Sequence, residues 1–364
     1  MSGPLLDRMG ARRTLIPAIL LVTLGVFIFA NAQNFGMLLL SQACIAVGAC
    51  TGFVGAGYVG GKWFGMAKFS FMFGLVQFAA SLFSAFNQIL LNWALAALQW
   101  QELFNYVGGL GIVLLIIAAL YIRDPSSVGA TEGQRLKSFF SDVFGSLLHT
   151  ARLPHIWMAA GFGALCFGVM LGLGVVWAPK LLMVRGLDAS TANFASSFLW
   201  LGLAAGCFIA PWISDRLQRR KLPILIGIGI QILALSLLLY SNPVNASFDI
   251  GLCFLFGLGN SAHMLAFSTA GDIVTPNRIG TSAAIVNGIM FIVGGIMISR
   301  PGVRIGLGLE GGVAPRSLEL AQFASRPLLI GIVVAFIIAL LMRETYPARS
   351  LEPEQSTAVP HQIS

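Results

Sequence analysis

The chain contains, close to its first residue, the stretch Asp7-Arg8-Met9-Gly10-Ala11-Arg12-Arg13. A degraded copy of this stretch recurs later as Asp215-Arg216-Leu217-Gln218-Arg219-Arg220-Lys221. Each copy is predicted to form a short polar turn between two long apolar segments. A repeat at this distance indicates an internal duplication of helix bundles. Two apolar segments precede the second copy within its half of the chain, whereas none precedes the first.

Composition places the chain in a membrane. Hydrophobic residues make up 57% of the 364 residues and charged residues only 10%, whereas a soluble domain carries about 25% charged residues. The mean hydropathy is +0.85. Among structures that do not close on themselves, only the α-helix satisfies all of its backbone hydrogen bonds in lipid. The predicted fold class is therefore an all-α integral membrane protein.

Ten apolar segments of spanning length, about 20 residues each, follow one another along the chain. They are predicted at Leu15–Ala32, Gly36–Tyr58, Phe69–Leu91, Leu103–Ile122, Ile156–Ala178, Thr191–Ile213, Leu222–Ser241, Ile250–Ala270, Gly280–Ser299 and Pro327–Met342. Residues 1–122 form a partial first bundle of four spans, and residues 156–342 form a second bundle of six. The polar residues 123–155 are predicted to be a cytoplasmic linker, and residues 343–364 a cytoplasmic tail.

Basic residues cluster in alternate loops, as the positive-inside rule describes. Of the 22 basic residues, all but six fall on one face, and the six are Lys180, Arg185, Arg300, Arg304, Arg316 and Arg326. Both termini are therefore predicted to be cytoplasmic, with the bacterial inner (plasma) membrane as the predicted location. The net charge of +8 reflects this anchoring and not nucleic-acid binding.

The first stretch resembles the signature between the second and third helices of the major facilitator superfamily. Every position of that signature is present, as Gly3, Asp7, Arg8, Gly10, Arg12 and Arg13. The second copy, with Asp215, Arg216 and Arg220, resembles the weaker signature after that family's eighth helix. The resemblance spans the whole chain and implies a two-bundle fold with about ten of twelve transmembrane helices present. It also implies that the natural transporter has two more helices before Met1.

The resemblance implies a gating role for both copies of the stretch. Asp7 would face the start of the helix at Gly280, near Arg278, and Asp215 would face the start of the helix at Phe69. The positive N-terminal end of a helix stabilises a nearby carboxylate. The alternative is that both acids are solvated charges on a turn. The stretch Gly74–Ser81 lacks the Gly-Pro signature of the family's drug/proton antiporters, which disfavours drug export.

Polar residues inside the predicted spans mark a candidate substrate path. Gln77, Ser81, Ser84 and Gln88 recur at spacings of four, three and four, so they form one stripe on a helix. Amides facing lipid are costly, so the stripe is expected to face protein or water. Two interpretations remain open, namely the wall of a cavity and hydrogen bonding between helices.

Four further positions, Asn260, His263, Lys180 and Arg300, extend the candidate path. His263 lies one turn after Asn260 inside a span and predicts either proton or substrate coupling or a neutral histidine bonded to a neighbouring helix. Lys180 and Arg300 lie at the outer ends of helices, where they could draw an anion into a vestibule. The alternative for both residues is that the aliphatic part of the side chain lies along apolar surface while the charged end reaches water at the membrane interface, with no role in binding.

The resulting prediction is a secondary active transporter that moves a small organic solute by alternating access. An organic anion is the first cargo hypothesis, and a neutral sugar, amino acid or peptide is the alternative. A non-transporting solute sensor or an inactive transporter fragment is the alternative function. No paired acids, metal-ligand spacing or Walker loop is visible, so no enzyme activity, metal or cofactor is predicted. The predicted partners are the solute, a coupling ion such as H+ and the lipid bilayer, and the protein is predicted to be a monomer.

Overall fold

The structure is a computed structural model that describes residues 2–53, 55, 69–123, 136–275 and 278–346. Side chains are described for these residues except 2–11, 69–71, 91–93, 96 and 136–143. The helices are α1 (Ser2–Ala30), α2 (Phe35–Ala49), α3 (Phe69–Ala97), α4 (Trp100–Tyr121), α5 (Leu136–Ala151), α6 (Pro154–Leu171), α7 (Ala178–Val184), α8 (Ala189–Leu217), α9 (Lys221–Tyr240), α10 (Ala246–Asn260), α11 (Leu265–Gly271), α12 (Ile279–Glu310) and α13 (Leu318–Leu341). A π-helical segment, Gly172–Trp177, joins α6 to α7, and a 3-10 turn, Ser261–Met264, joins α10 to α11.

The predicted all-α membrane fold is confirmed. Within the described residues, nine helical segments are long and apolar enough to cross a membrane, and α2 is a shorter apolar helix. The last part of the span predicted to contain α2 lies outside the described residues. The helix α12 continues through Pro301 to Glu310, well beyond the predicted end of its span. Helix α5, which was not predicted, lies in the polar stretch 123–155. It approaches α12 through Ser146 and Thr281, whose hydroxyl oxygens are 3.3 Å apart.

The predicted turn at the first copy of the repeated stretch is wrong. Helix α1 begins at Ser2 and runs through Asp7–Arg13 without a break. Pro4 lies in the first turn, where a missing N–H costs no helical hydrogen bond, and the Leu, Met, Ala and Arg residues that follow favour helix. The second copy does form a turn, because α8 ends at Leu217 and Gln218 adopts a left-handed φ of 51° before α9.

Close packing of helix backbones holds the second half of the chain together. Helix α8 lies against α10, and a Cβ atom added at Gly257 would collide with the carbonyl oxygen of Leu199. Gly202 meets the backbone of Phe254 in the same way. The small residues that the sequence places in these spans therefore serve as packing sites, as expected for helices in lipid.

We expect Gly257→Ala to force α8 and α10 apart. Overpacking of this kind typically costs about 1–3 kcal/mol, so the variant should melt at a lower temperature than the parent in detergent. The matched control is Gly251→Ala on the same helix, where an added Cβ meets nothing within 4 Å. That control should match or exceed the parent, because Ala favours a helix by roughly 0.5–1 kcal/mol over Gly. Equal melting temperatures for the two variants would contradict this packing account.

Candidate functional site

Helix α3 of the first half packs against α8 of the second half. The two helices run antiparallel, because Gly74 lies near Cys207 and Gln88 lies near Ser196. The amide Nε2 of Gln88 donates a hydrogen bond to Ser196 Oγ at 2.7 Å. The other amide atom, Gln88 Oε1, is buried and accepts no hydrogen bond from the described residues. A half-buried amide whose nitrogen is bonded and whose oxygen is unused is suited to bind a polar ligand.

The remainder of the α3 stripe lies on the same face. Gln77 and Ser81 are buried, and Gln77 Nε2 donates to Ser81 Oγ at 3.2 Å. Ser84 Oγ donates to the carbonyl oxygen of Ala80 at 2.8 Å within its own helix. The stripe thus combines hydrogen bonds within α3 and one bond to α8, which links the two halves of the chain.

Asn260 is at the centre of a buried hydrogen-bond network. Its Nδ2 donates to the carbonyl oxygen of Cys166 at 2.7 Å and to Gln231 Oε1 at 2.9 Å. Gln231 in turn donates to the carbonyl oxygen of Gly259 at 3.3 Å. The remaining amide atom, Asn260 Oδ1, is buried and has no hydrogen-bond partner among the described residues. The network fixes the orientation of Asn260 and leaves one acceptor free.

His263 lies in the 3-10 turn that follows Asn260 and is buried. Its Nδ1 is 2.7 Å from the carbonyl oxygen of Asn260. The imidazole stacks on Phe167, with ring centroids 4.9 Å apart. This backbone contact and the aromatic neighbour restrain the ring on two sides.

Three phenylalanine rings from different parts of the chain meet next to these polar residues. Phe73 of α3 lies 5.5 Å from Phe267 of α11, and Phe53 lies 5.1 Å from Phe73 and 5.7 Å from Phe267. Gln77 follows Phe73 by one turn and His263 precedes Phe267 by one turn. Because α3 and α11 run in opposite directions, both polar residues lie on the same side of the aromatic contact. The contact separates them from the basic end of the molecule, where Arg220 lies.

The basic end carries an ion-pair network around the second copy of the repeated stretch. Arg220 donates from Nη1 to Asp215 Oδ1 at 2.9 Å and from Nε to Asp272 Oδ2 at 3.1 Å. The carboxylate of Glu344 accepts hydrogen bonds from the backbone N–H groups of Arg220 at 2.7 Å and Lys221 at 3.2 Å. The α8–α9 turn is therefore tied to the ends of both α11 and α13.

Two carboxyl groups of this network have shifted pKa values. Burial raises the pKa of the Asp272 carboxyl, and the charge of Arg220 and its hydrogen bond oppose that shift only in part. Burial also acts to raise the pKa of Glu344, but hydrogen bonds from four backbone N–H groups outweigh it, and the pKa is lowered. Glu344 is thus held as a carboxylate, whereas at Asp272 burial and the contact with Arg220 act on the pKa in opposite directions.

The residues of the gating prediction are only partly within the described side chains. Arg12 donates to the carbonyl oxygen of Ala119 at 3.0 Å, near the end of α4. Arg216 lies over the Trp212 ring at 5.5 Å. Helix α1 contacts α12, as the gating prediction requires. No side chain is described for residues 2–11, which include Gly3, Asp7, Arg8 and Gly10, or for the start of α3.

At the opposite end, the structure separates residues that the sequence grouped together. The Lys180 ammonium lies 4.5 Å from the centroid of the Trp177 ring, whereas Arg300 is exposed on α12. Arg304 donates to the carbonyl oxygen of Phe323 at 2.7 Å. Each of these cations therefore has a different environment.

Sequence reasoning missed a buried ion pair at this end. Arg185 Nη2 donates to Asp249 Oδ1 at 2.8 Å, and the two side chains are 0% and 1% exposed. Arg185 also donates to the carbonyl oxygens of Leu238 and Ser241 at 2.9 Å. The available signal was a single acid, Asp249, beside an apolar span on the face that holds few basic residues.

We expect Asp249→Asn to destabilise the protein strongly, because it leaves the Arg185 guanidinium buried without a counter-charge. Breaking a buried pair costs roughly 3–5 kcal/mol. The matched control is Asp215→Asn at the basic end, where Asp215 is 63% exposed and a pair of this kind is worth about 0–1 kcal/mol. Thermal melting in detergent compares the two, and equal effects would overturn the assignment of Arg185–Asp249 as a structural pair.

Comparisons with known proteins agree with this architecture. A family model described as Major Facilitator Superfamily matches residues 1–299. A probable 4-methylmuconolactone transporter of Cupriavidus pinatubonensis is 24% identical over 296 residues, which cover 77% of this chain and 65% of that protein. The 3-(3-hydroxy-phenyl)propionate transporter of Escherichia coli is 27% identical over 323 residues, which cover 86% of this chain and 76% of that protein. The chain thus spans less than two thirds of the length of the first relative.

Solved structures at low identity share the fold. The fucose:proton symporter FucP of Escherichia coli matches with a TM-score of 0.64 at 17% identity, over 93% of this chain and 85% of that one. A bacterial homologue of the human lysosomal transporter Spinster, in an inward-facing and occupied conformation, matches with a TM-score of 0.65 at 17% identity. That match covers 93% of this chain and 84% of the homologue.

Proposed function

The chain belongs to the major facilitator superfamily, and from that premise we propose that it moves a small organic solute across a membrane by alternating access. It is a multi-pass membrane protein of a transporter family and not an enzyme. The observation that carries the proposal is the α3–α8 contact between the two halves, where Gln88 has a buried acceptor atom that no described residue uses. Toward the other end of α3, Gln77 lies one turn from the contact between Phe73 and Phe267. Two bundles that rock about a central site are the general mechanism of such folds.

In this proposal, the partial bundle of residues 1–122 and the bundle of residues 156–342 are the two moving bodies. Residues 123–155 link them. The α3–α8 contact joins the two bodies, and among the described side chains Gln88 bonds to Ser196 across it, a bond worth about 0.5–1.5 kcal/mol. A bond of this size can form and break during transport, whereas the glycine contacts between α8 and α10 hold the second body together.

The rings of Phe53, Phe73 and Phe267 act as the closure toward the basic end. Separation of Phe73 from Phe267 would connect Gln77 and His263 with that end, which we propose is cytoplasmic. The gating residues are proposed to stabilise the same end. They are Arg12 and Arg13 with Gly3, Asp7, Arg8 and Gly10 in the first copy, and Asp215, Arg216 and Arg220 in the second. Arg220 supports this role because it joins the α8–α9 turn to Asp272.

The cargo that we propose is a small organic anion with a carboxylate group. Two relatives are named for 3-(3-hydroxy-phenyl)propionate and for galactarate/D-glucarate, which are carboxylates, and the second is 21% identical over 79% of this chain. Lys180 and Arg300 are the cations proposed to attract it. The unused acceptors of Gln88 and Asn260 suit hydroxyl groups on the same molecule. A neutral sugar, amino acid or peptide is the alternative cargo, since these amides carry no charge.

A proton gradient is the proposed energy source, with His263 as the group that responds to it. A buried histidine inside a span can change its charge near physiological pH when the site opens to water. We propose the bacterial inner membrane as the location, with both termini cytoplasmic and the monomer as the working unit.

We expect proteoliposomes that contain the protein to take up labelled 3-(3-hydroxyphenyl)propionate. An inward proton gradient should increase the initial rate of uptake, because protons that enter down their gradient would be coupled to entry of the anion. Unlabelled glucarate should compete more strongly than glucose of equal concentration. His263→Gln should lose the dependence on the gradient and keep exchange of labelled for unlabelled solute. The measurement is the initial rate of uptake with and without the gradient.

The control for the anion hypothesis is the pair of variants Lys180→Gln and Arg300→Gln. Weaker competition by carboxylates in these variants supports the anion as cargo. Stronger competition by glucose than by glucarate contradicts it and favours the neutral alternative. Saturable binding of the label without uptake by the folded protein would contradict transport and favour a solute sensor.

A further inference from the structure

A separate cavity of about 690 Å³ lies at the end of the molecule opposite to Arg220. It is formed by the π-helical segment and α7, the last turns of α12 and the first turns of α13. Its lining includes Trp177, Lys180, Leu181, Arg316, Leu320 and Ala321. None of the polar residues at the α3–α8 contact lines it. The volume lies within the range of roughly 300–1,000 Å³ that is typical of small-molecule pockets.

The walls of this cavity are apolar and its charges have one sign. Most of its lining is aliphatic or aromatic, and no acidic residue lines it within the described part of the chain. Lys180 and Arg316 are both exposed, and neither has a described carboxylate within ion-pairing distance. Two cations at the edge of an apolar cavity suit a ligand that has an anionic head group and an apolar body.

The position of each cation is restrained. Trp177 Nε1 donates to the carbonyl oxygen of Ile298 at 2.7 Å, which holds the ring on which Lys180 lies. Arg316 has a left-handed φ of 56° in the α12–α13 turn. Residues other than glycine rarely adopt such a backbone, and its occurrence beside a cavity points to a role for the side chain.

The mouth of the cavity continues onto the lipid-facing surface of the protein. Met183 and Leu309 line the cavity and are 41% and 44% exposed. Leu307 and Val303, on the same helix as Leu309, are 54% and 58% exposed. An apolar surface of this kind on a membrane protein contacts acyl chains, so a molecule can enter from the bilayer without crossing water.

We propose that this cavity binds an anionic membrane lipid. The phosphate or carboxylate head contacts Lys180 and Arg316, and the acyl chain lies against Leu181, Leu320 and Ala321. A basic residue near a membrane surface strengthens binding of an anionic lipid about fivefold. The bound lipid joins α7, α12 and α13 at the end where the vestibule for solute would open.

The test uses Trp177 as the reporter, because a bromine atom on an acyl chain quenches a nearby indole. The protein is placed in nanodiscs of phosphatidylcholine that contain a small, fixed fraction of brominated phosphatidylglycerol or of brominated phosphatidylcholine. The signal of Trp177 is the difference in quenching between the parent and Trp177→Phe. We expect brominated phosphatidylglycerol to quench this signal severalfold more than brominated phosphatidylcholine.

Substitutions distinguish binding of the lipid's anionic head group from binding of its acyl chain. Lys180→Gln with Arg316→Gln changes only exposed side chains and should abolish the preference for the anionic lipid. The matched control is Arg326→Gln, an exposed cation on α13 outside the cavity, which should keep the preference. Ala321→Phe should fill the cavity and lower quenching by both lipids, with folding checked by thermal melting.

Three results would overturn the proposal. The first is equal quenching by the two brominated lipids in the parent. The second is a preference that survives the double substitution at Lys180 and Arg316. The third is loss of the quenching on addition of millimolar 3-phenylpropionate, which would assign the cavity to a soluble carboxylate. All three results come from measurements of lipid binding in nanodiscs, so they do not depend on whether any solute is transported.

Discussion

The lack of water in the bilayer is the constraint on which the structure depends, because each buried polar group must find its partner inside the protein. It accounts for the helices, whose backbone groups pair within each segment. It also accounts for Arg185, which is fully buried and bonded to Asp249 and to two carbonyl oxygens. Gln231 and Asn260 satisfy one another in the same way. The second half of the chain is thus a tightly packed body with its polar groups largely paired.

The same constraint identifies the positions that differ from this pattern. Gln88 and Asn260 each have a buried acceptor atom that no described residue uses. Gln88 lies in the α3–α8 contact, and Asn260 is one turn from His263. Natural proteins retain few such groups, and those that remain are frequently explained by a ligand or by water. These acceptors, the aromatic closure and the family membership together support a solute path between the two halves.

Much of the fold could be predicted from composition and apolar segment length alone, since both follow directly from the bilayer. The turn at Asp215–Lys221 was predictable because charged residues separate two apolar spans. The helix through Asp7–Arg13 was not, because its charges suggested the same turn although its residues favour helix. The pairing of Arg185 with Asp249 joins positions 64 residues apart, which no local pattern reveals. The bond between Gln88 and Ser196 likewise depends on how α3 and α8 pack.

Transport by the proposed mechanism requires the α3–α8 contact to open, and a reversible cross-link across this contact shows whether it does. Gln88→Cys and Ser196→Cys would be joined by a short bis-methanethiosulfonate reagent, in protein whose Cys44 and Cys50 are replaced by Ser. The initial rate of solute uptake into proteoliposomes is measured before cross-linking, after it, and after reduction. We expect the cross-link to stop uptake and reduction to restore it, with each single-cysteine variant unaffected by the reagent. Uptake that continues at the original rate in fully cross-linked protein would contradict the account.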